Sequence, residues 1–358
     1  HKIATILPYK ENYSFEKASA ASLWVAEYFK NSKFKKNNTI FGSTKSKNYL
    51  TKNYANIKLN SINSKFISST NEYTQKLIKE INNKSFDIVE IHNRPLILFN
   101  LVNKINSRFI FYFHNDPLSM KGSKKISERL FILKNSEKIV FVSEWVRKRF
   151  FINIDKKLST KTEIIHPAVN NQQTFKKDKL ITFVGRLNYS KGYDLYGKAI
   201  VKILNEFPKW KALSLGDEDR RTIYFDHINH KELGFLNHKK TLQILNKSEI
   251  AVVPSRWEEP FGRTALEASS CGCATIISNR GGLTETTNHA VVLKKLDEFN
   301  IYRAIKNLIK NKDKRKKIQK LSRKNINHLI PKNTKVIDQM RENILPKYVF
   351  NILKNKLK

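Results

Sequence analysis

Short apolar runs alternate with longer amphipathic stretches along the whole chain, and this alternation constrains the fold more than any other feature. In the first half the runs occupy residues 3–8, 39–41, 86–92, 109–114, 139–143 and 163–166, with helical patterns such as 15–30 and 71–82 between them. The rhythm restarts with runs at 180–185, 212–216, 250–254, 274–278 and 290–293. Strand-length apolar runs separated by helix-length segments are the mark of parallel βαβ units, whose strands are buried on both faces. At 358 residues the chain is too long for one ordinary core. A polar stretch over 167–179, containing Asn170-Asn171-Gln172-Gln173, reads as a linker and puts a boundary near residue 170. The expected α/β architecture is therefore two Rossmann-like domains, 1–170 and 171–330, facing across a cleft. A basic helical segment, 331–358, follows and has the option of packing back on the first domain. Ligands of such sheets bind at the carboxyl ends of strands.

Composition excludes several classes. Cys271 and Cys273 are the only cysteines. They are too close to staple a fold, so they suit a reducing, cytoplasmic compartment and read as buried packing. No apolar run approaches the roughly 20 residues of a membrane-spanning helix, and residues 2–8 read as a first strand rather than a signal-peptide core. These features suit a soluble or peripheral protein.

Charge is the outlier: 68 Lys+Arg against 31 Asp+Glu, a net +37, densest over residues 301–358. Such a field draws an anionic lipid surface or nucleic acid, although a chain rich in Lys, Asn and Ile also reaches it through compositional bias. Nucleic-acid binding would need base-stacking aromatics on a basic face or a reading motif, and none is found. The segment Glu144-Trp145-Val146-Arg147-Lys148-Arg149-Phe150-Phe151 has two readings: an interfacial stretch on an anionic bilayer, or a helix packing Trp145, Val146 and Phe150 inward.

The most informative segment follows the run at 250–254. A loop carries Glu258 and Glu259, then Pro260, Phe261 and Gly262, and a helix begins near Arg263 or Thr264. Gly262 allows a ligand close to the backbone. The first amides of that helix lack internal partners and present a positive dipole end, which fits a diphosphate. Glu267, one turn in, is placed to accept hydrogen bonds from ribose hydroxyls, and Glu259 reaches the hydroxyls of a sugar beyond the phosphates. Taken alone, both acids also fit ordinary solvated positions at a helix start. After the run at 180–185, the turn Gly185-Arg186-Leu187-Asn188-Tyr189-Ser190-Lys191-Gly192 offers an anion grip, Arg as a fork and Lys as a point charge.

Together these pieces resemble glycosyltransferase family 4, retaining enzymes of the GT-B fold. Glu259 and Glu267 match the family's Glu-x7-Glu motif, Gly185-Arg186…Lys191-Gly192 its phosphate-binding turn, and Gly281-Gly282-Leu283-Thr284-Glu285 its Gly-Gly-x-x-Glu loop. The resemblance implies a hexose-type nucleotide-sugar donor, UDP- or GDP-linked. It places Arg186 and Lys191 on the diphosphate beside the amides of Phe261, Gly262, Arg263 and Thr264, Glu259 on the donor sugar and Glu267 on the ribose. The family's functional histidine, at a strand end of the first domain, corresponds to His114, with His92 and His166 read as structural. No metal or other cofactor is expected. Asp217-Glu218-Asp219 only looks like an Asp-x-Asp metal site. The acceptor is expected to be lipid-linked or a glycan. One departure is the loop 9–19, which lacks the glycine pair of many members. The alternatives within GT-B, an epimerase or an inverting transferase, sit poorly with the Glu-x7-Glu spacing.

Overall fold

The computed structural model describes residues 1–9, 11–59, 69–170, 175–220, 222–326 and 328–345. Linker residues 171–173, Lys10 of the glycine-free loop and the tail from 346 lie outside the described residues. The chain divides into two units. The first holds His1–Phe141, Arg149–Ile165 and the chain from Ile330 onward; the second holds Val142–Lys148 and His166–Leu329. The polypeptide thus changes unit more often than one boundary near residue 170 would require.

The first unit contains β1 (Ile3–Ile6), α1 (Ala20–Asn31), β2 (Asn38–Gly42), β3 (Tyr54–Asn56), α2 (Ser69–Lys84), β4 (Ile88–His92), α3 (Pro95–Leu101), β5 (Arg108–Phe113), α4 (Ile126–Asn135) and β6 (Lys138–Phe141). Helix α5 (Glu144–Phe150) follows β6, and β7 (Thr162–Ile164) completes the sheet. Strand order is β3-β2-β1-β4-β5-β6-β7, every pair parallel. β1 and β4 are buried at every position, as a sheet covered on both faces requires. The helix expected over 15–30 begins only at Ala20, because Ser19 caps it by accepting the Ser22 amide at 3.1 Å. In the glycine-free loop before it, Tyr13 is fully buried and stacks on Tyr54, with 4.8 Å between ring centroids.

The second unit contains β8 (Asp178–Val184), α6 (Tyr193–Glu206), β9 (Lys211–Leu215), β10 (His230–Glu232), α7 (His238–Lys247), β11 (Ser248–Val253), α8 (Arg263–Ser270), β12 (Ala274–Ser278), β13 (Val291–Leu293), α9 (Glu298–Lys310) and α10 (Lys312–Lys324). Its sheet runs β10-β9-β8-β11-β12-β13, again all parallel. Phe183, Tyr193, Tyr196, Ile200, Ile250, Ile276 and Ile305 form its main core. Cys271 and Cys273 are buried free thiols, pushed up by burial to about 12 and about 11, so they pack rather than react.

The last described helix, α11 (Ile330–Ile344), belongs to the first unit and packs on α1. Arg341 holds it there. Its guanidinium donates to both oxygens of Glu90, at 2.8 and 2.7 Å, and to Ser32 and Asp338. Tyr112 and Thr5 donate to the same Glu90 carboxylate. Glu90 and Arg341 are both buried, and such a pair is tolerable only with its remaining hydrogen-bonding capacity used.

The aromatic segment 144–151 does not present an interfacial face: Val146, Phe150 and Phe151 are buried and Trp145 is half-buried. The inward-packing reading of that segment holds.

Candidate functional site

In the second sheet, β8 is flanked by β9 on one side and β11 on the other. Connections leave in opposite directions from this pair, which makes the carboxyl ends of β8 and β11 the topological switch point of the sheet, where such sheets take their ligands. The loops after both strands carry residues singled out by sequence.

After β8, the side chain of Asn188 caps a short 3-10 turn (Tyr189–Lys191), accepting the Lys191 amide at 3.1 Å. This turn aims Lys191 at the second loop, where its ammonium lies 2.6 Å from a carboxylate oxygen of Glu259 and 4.4 Å from the centre of the Trp257 ring. Gly192 has φ +72, and an added Cβ would stand 1.9 Å from the carbonyl oxygen of Pro254. No other residue lets the two loops approach this closely. Arg186 is exposed just beyond β8, and its guanidinium has no partner among the described residues.

After β11, the loop is built from behind. The Gly282 amide donates to the Glu259 carbonyl at 2.7 Å, and the Gly281 amide donates to Glu258 at 2.5 Å. A Cβ on Gly281, at φ +56, would meet the Glu259 carbonyl oxygen at 2.2 Å. The Gly-Gly-x-x-Glu loop therefore fixes the backbone of Glu259. Its final acid, Glu285, turns elsewhere and accepts the first amides of α5, from Glu144 at 2.8 Å and Trp145 at 2.9 Å. Ser143 donates to the Pro260 carbonyl. Phe261 is buried against His166 and His328, with ring centroids 5.2 and 5.6 Å away. His166 also bonds the Val142 carbonyl at 2.9 Å, a structural placement as expected.

Helix α8 starts at Arg263 with Gly262 as its N-cap, at φ +108 and with no capping side chain. The dipole is positive at this helix start, which no side chain caps. Glu267, one turn in, is buried, with Arg263 Nε at 2.6 Å and His238 Nε2 at 2.8 Å. Burial raises its carboxyl, but the charge of Arg263 and the His238 bond outweigh that and hold it at about 2, below its ordinary 4.5. It is ionised at neutral pH and keeps acceptor capacity for a hydroxyl. The spacing motifs identified neither His238 nor Trp257. His238 sits at the first position of α7 and reaches Glu267 only through the tertiary fold. Of the Asp-Glu-Asp run, Glu218 accepts from the Asn188 side chain at 2.6 Å.

His114 lies in the first unit, at the end of β5, half-buried and pushed down by burial to about 3. His92, read from sequence as structural, ends the adjacent strand β4 with Nδ1 2.8 Å from His114 Nε2. Pairing of β4 with β5 in register, His92 opposite Tyr112, makes this contact; no spacing rule along the sequence announces it.

Residues 167–325 match the family model of glycosyl transferases group 1. YtcC of Bacillus subtilis strain 168, which carries the name of a glycosyltransferase, is 25% identical over 296 residues, 72% of each chain. Among solved structures, sucrose-phosphate synthase from Thermosynechococcus elongatus superposes with a TM-score of 0.77 at 14% identity, over 96% of this chain and 98% of that one. Anabaena Alr3699/HepE in complex with UDP and glucose gives 0.73 at 13% identity, over 95% and 99%. The fold is GT-B, and the matched segment together with the glycosyltransferase relatives supports a nucleotide-sugar-dependent glycosyltransferase.

Proposed function

We propose that the chain is a retaining, family 4 transferase that moves a hexose from a UDP- or GDP-linked donor to a lipid-linked or glycan acceptor, such as a lipopolysaccharide or polysaccharide precursor or a diacylglycerol. The observation that carries this reading is the pairing of two buried acids with two cations around one uncapped helix start: Glu259 with Lys191 and Glu267 with Arg263. Acids this close to a phosphate site would repel the ligand unless they were neutralised or addressed to hydroxyls. Here each has its cation. The Anabaena structure holds UDP and glucose, which makes UDP-glucose the first donor to try.

In this reading Arg186, Lys191 and the backbone amides of Phe261, Gly262, Arg263 and Thr264 take the diphosphate. Glu267 takes the ribose hydroxyls and Glu259 those of the sugar, while His114 faces the transferred sugar from the first domain. Negative charge grows on the departing diphosphate in the transition state, and preorganised cations and amides stabilise it more there than in the ground state. Charge develops on the sugar as an oxocarbenium-like ring. Front-face departure and attack retains the anomeric configuration with no protein nucleophile, so the reading assigns none. It assigns no metal and no other cofactor, because the fixed cations and the dipole already meet the diphosphate charge. We place the protein in the cytoplasm, peripheral on the inner face of the membrane, where its excess cations meet anionic lipid at about 1 kcal/mol each.

The test is turnover with NMR of the product. Donor and product should share anomeric configuration, and Glu259→Ala should abolish transfer while the melting temperature stays within a few degrees. Inverted product, or full activity in the folded variant, rejects the assignment.

A further inference from the structure

The two histidines at the ends of β4 and β5 form one unit. His92 Nδ1 and His114 Nε2 are 2.8 Å apart, so one ring donates and the other accepts. Both are neutral near physiological pH, since burial pushes each down. The direction of the bond is set by the far nitrogen of His92. That atom, Nε2, is buried and has no hydrogen-bond partner among the described residues. His92 is held rigidly, stacked on Tyr112 with 4.3 Å between centroids and 5° between planes, and met edge-on by Trp24 at 5.5 Å. Trp24 offers only a donor, its own Nε1–H, also unpartnered.

Two tautomer pairs are available. If His114 donated from Nε2, His92 would have to carry its proton on Nε2, burying an N–H with no acceptor. If His92 donates from Nδ1, Nε2 keeps only a lone pair. Orphaned buried N–H groups are the rarer and costlier case. The second arrangement therefore wins, and it fixes His114 as well: with Nε2 accepting, its proton sits on Nδ1. Asn93, at φ +55, completes the clamp by accepting the backbone amides of His114 at 3.2 Å and Asn115 at 3.1 Å.

We propose that His92 is a positioning residue that sets the tautomer of His114, so that His114 meets its ligand as an Nδ1–H hydrogen-bond donor and not as a base. This rests on the reading of His114 as the residue facing the transferred sugar, and it assigns that contact a direction. A donating Nδ1–H selects an acceptor oxygen on the sugar.

The experiment uses 15N-histidine-labelled full-length protein. Long-range 1H–15N spectra should show His114 protonated at Nδ1 and unprotonated at Nε2, and His92 the same. Kinetics then separate role from fold. His92→Asn keeps a donor near the Nδ1 position and should hold kcat within about threefold. His92→Phe keeps the stacking but removes the donor, and should lower kcat by roughly 10- to 100-fold with a smaller change in KM, the scale for a lost orienting partner. Melting curves confirm that each variant is folded; if His92→Phe does not fold, His92→Leu replaces it. A His114 protonated at Nε2 overturns the proposal, as do equal rates in the Asn and Phe variants. Failure of the underlying reading looks different: His114→Ala would retain full turnover whatever the tautomer.

Discussion

Removing the charge of Glu267 gives the sharpest quantitative test of the donor-side geometry. Its carboxyl is held at about 2 against an ordinary 4.5. A shift of that size, at 1.36 kcal/mol per unit, contributes about 3 kcal/mol of stability. The folded value is depressed, so this stability is complete above the unfolded value of 4.5 and is lost as pH falls toward 2. Glu267→Gln keeps the shape and some hydrogen bonding, and should cost about 2–3 kcal/mol at pH 7. For a unit of this size that lowers the melting temperature by about 5–10 °C. The gap to wild type should narrow by about 1 kcal/mol by pH 3.5, because the wild type is by then losing its advantage. Denaturant unfolding at pH 7 and pH 3.5 reads both numbers. A variant as stable as wild type at pH 7, or a gap that does not narrow on acidification, would refute the Arg263–Glu267–His238 cluster.

Other expectations follow from single contacts. Arg341→Met strips Glu90 of its bidentate partner and should destabilise the first unit by about 3–5 kcal/mol in urea; a loss under about 1 kcal/mol would mean that α11 is not held by this network. Gly281→Ala forces the Glu259 backbone to move and should cut kcat/KM by about 100-fold, which steady-state kinetics on the folded variant will show. Wild-type protein should co-sediment with anionic vesicles at low salt and release near 1 M salt, as a field of +37 demands; no binding at low salt removes the membrane surface from the proposal.

Much of the fold is legible in the sequence. All eleven apolar runs coincide with strands, because parallel strands buried on both faces have to be apolar. The two strands without such a run, β3 and β10, are edge strands of three residues, Tyr-Ala-Asn and His-Lys-Glu. Edge strands are covered less, so nothing in their composition sets them apart from loops. Glu259 and Glu267 stand out in the sequence because their relation depends on spacing along one loop and one helix. His238 on Glu267 and His92 on His114 do not, since each meets its partner only after distant segments pack. The reach of the first domain also escaped a linear reading: Val142–Lys148 clusters with the second unit, where Ser143 bonds Pro260 and Glu285 caps α5.

The most direct measurement is a calorimetric titration of UDP-glucose, then GDP-mannose, into wild type and Lys191→Ala. Wild type should show saturable one-to-one binding of at least one donor. Binding to the variant should be at least tenfold weaker, the scale of one lost charge-assisted hydrogen bond, in a protein that still unfolds cooperatively, although at a lower temperature because the buried Glu259 has lost its cation. Equal affinity in both proteins would rule out Lys191 as a donor contact, and no saturable binding of either sugar nucleotide would rule out the proposed donors.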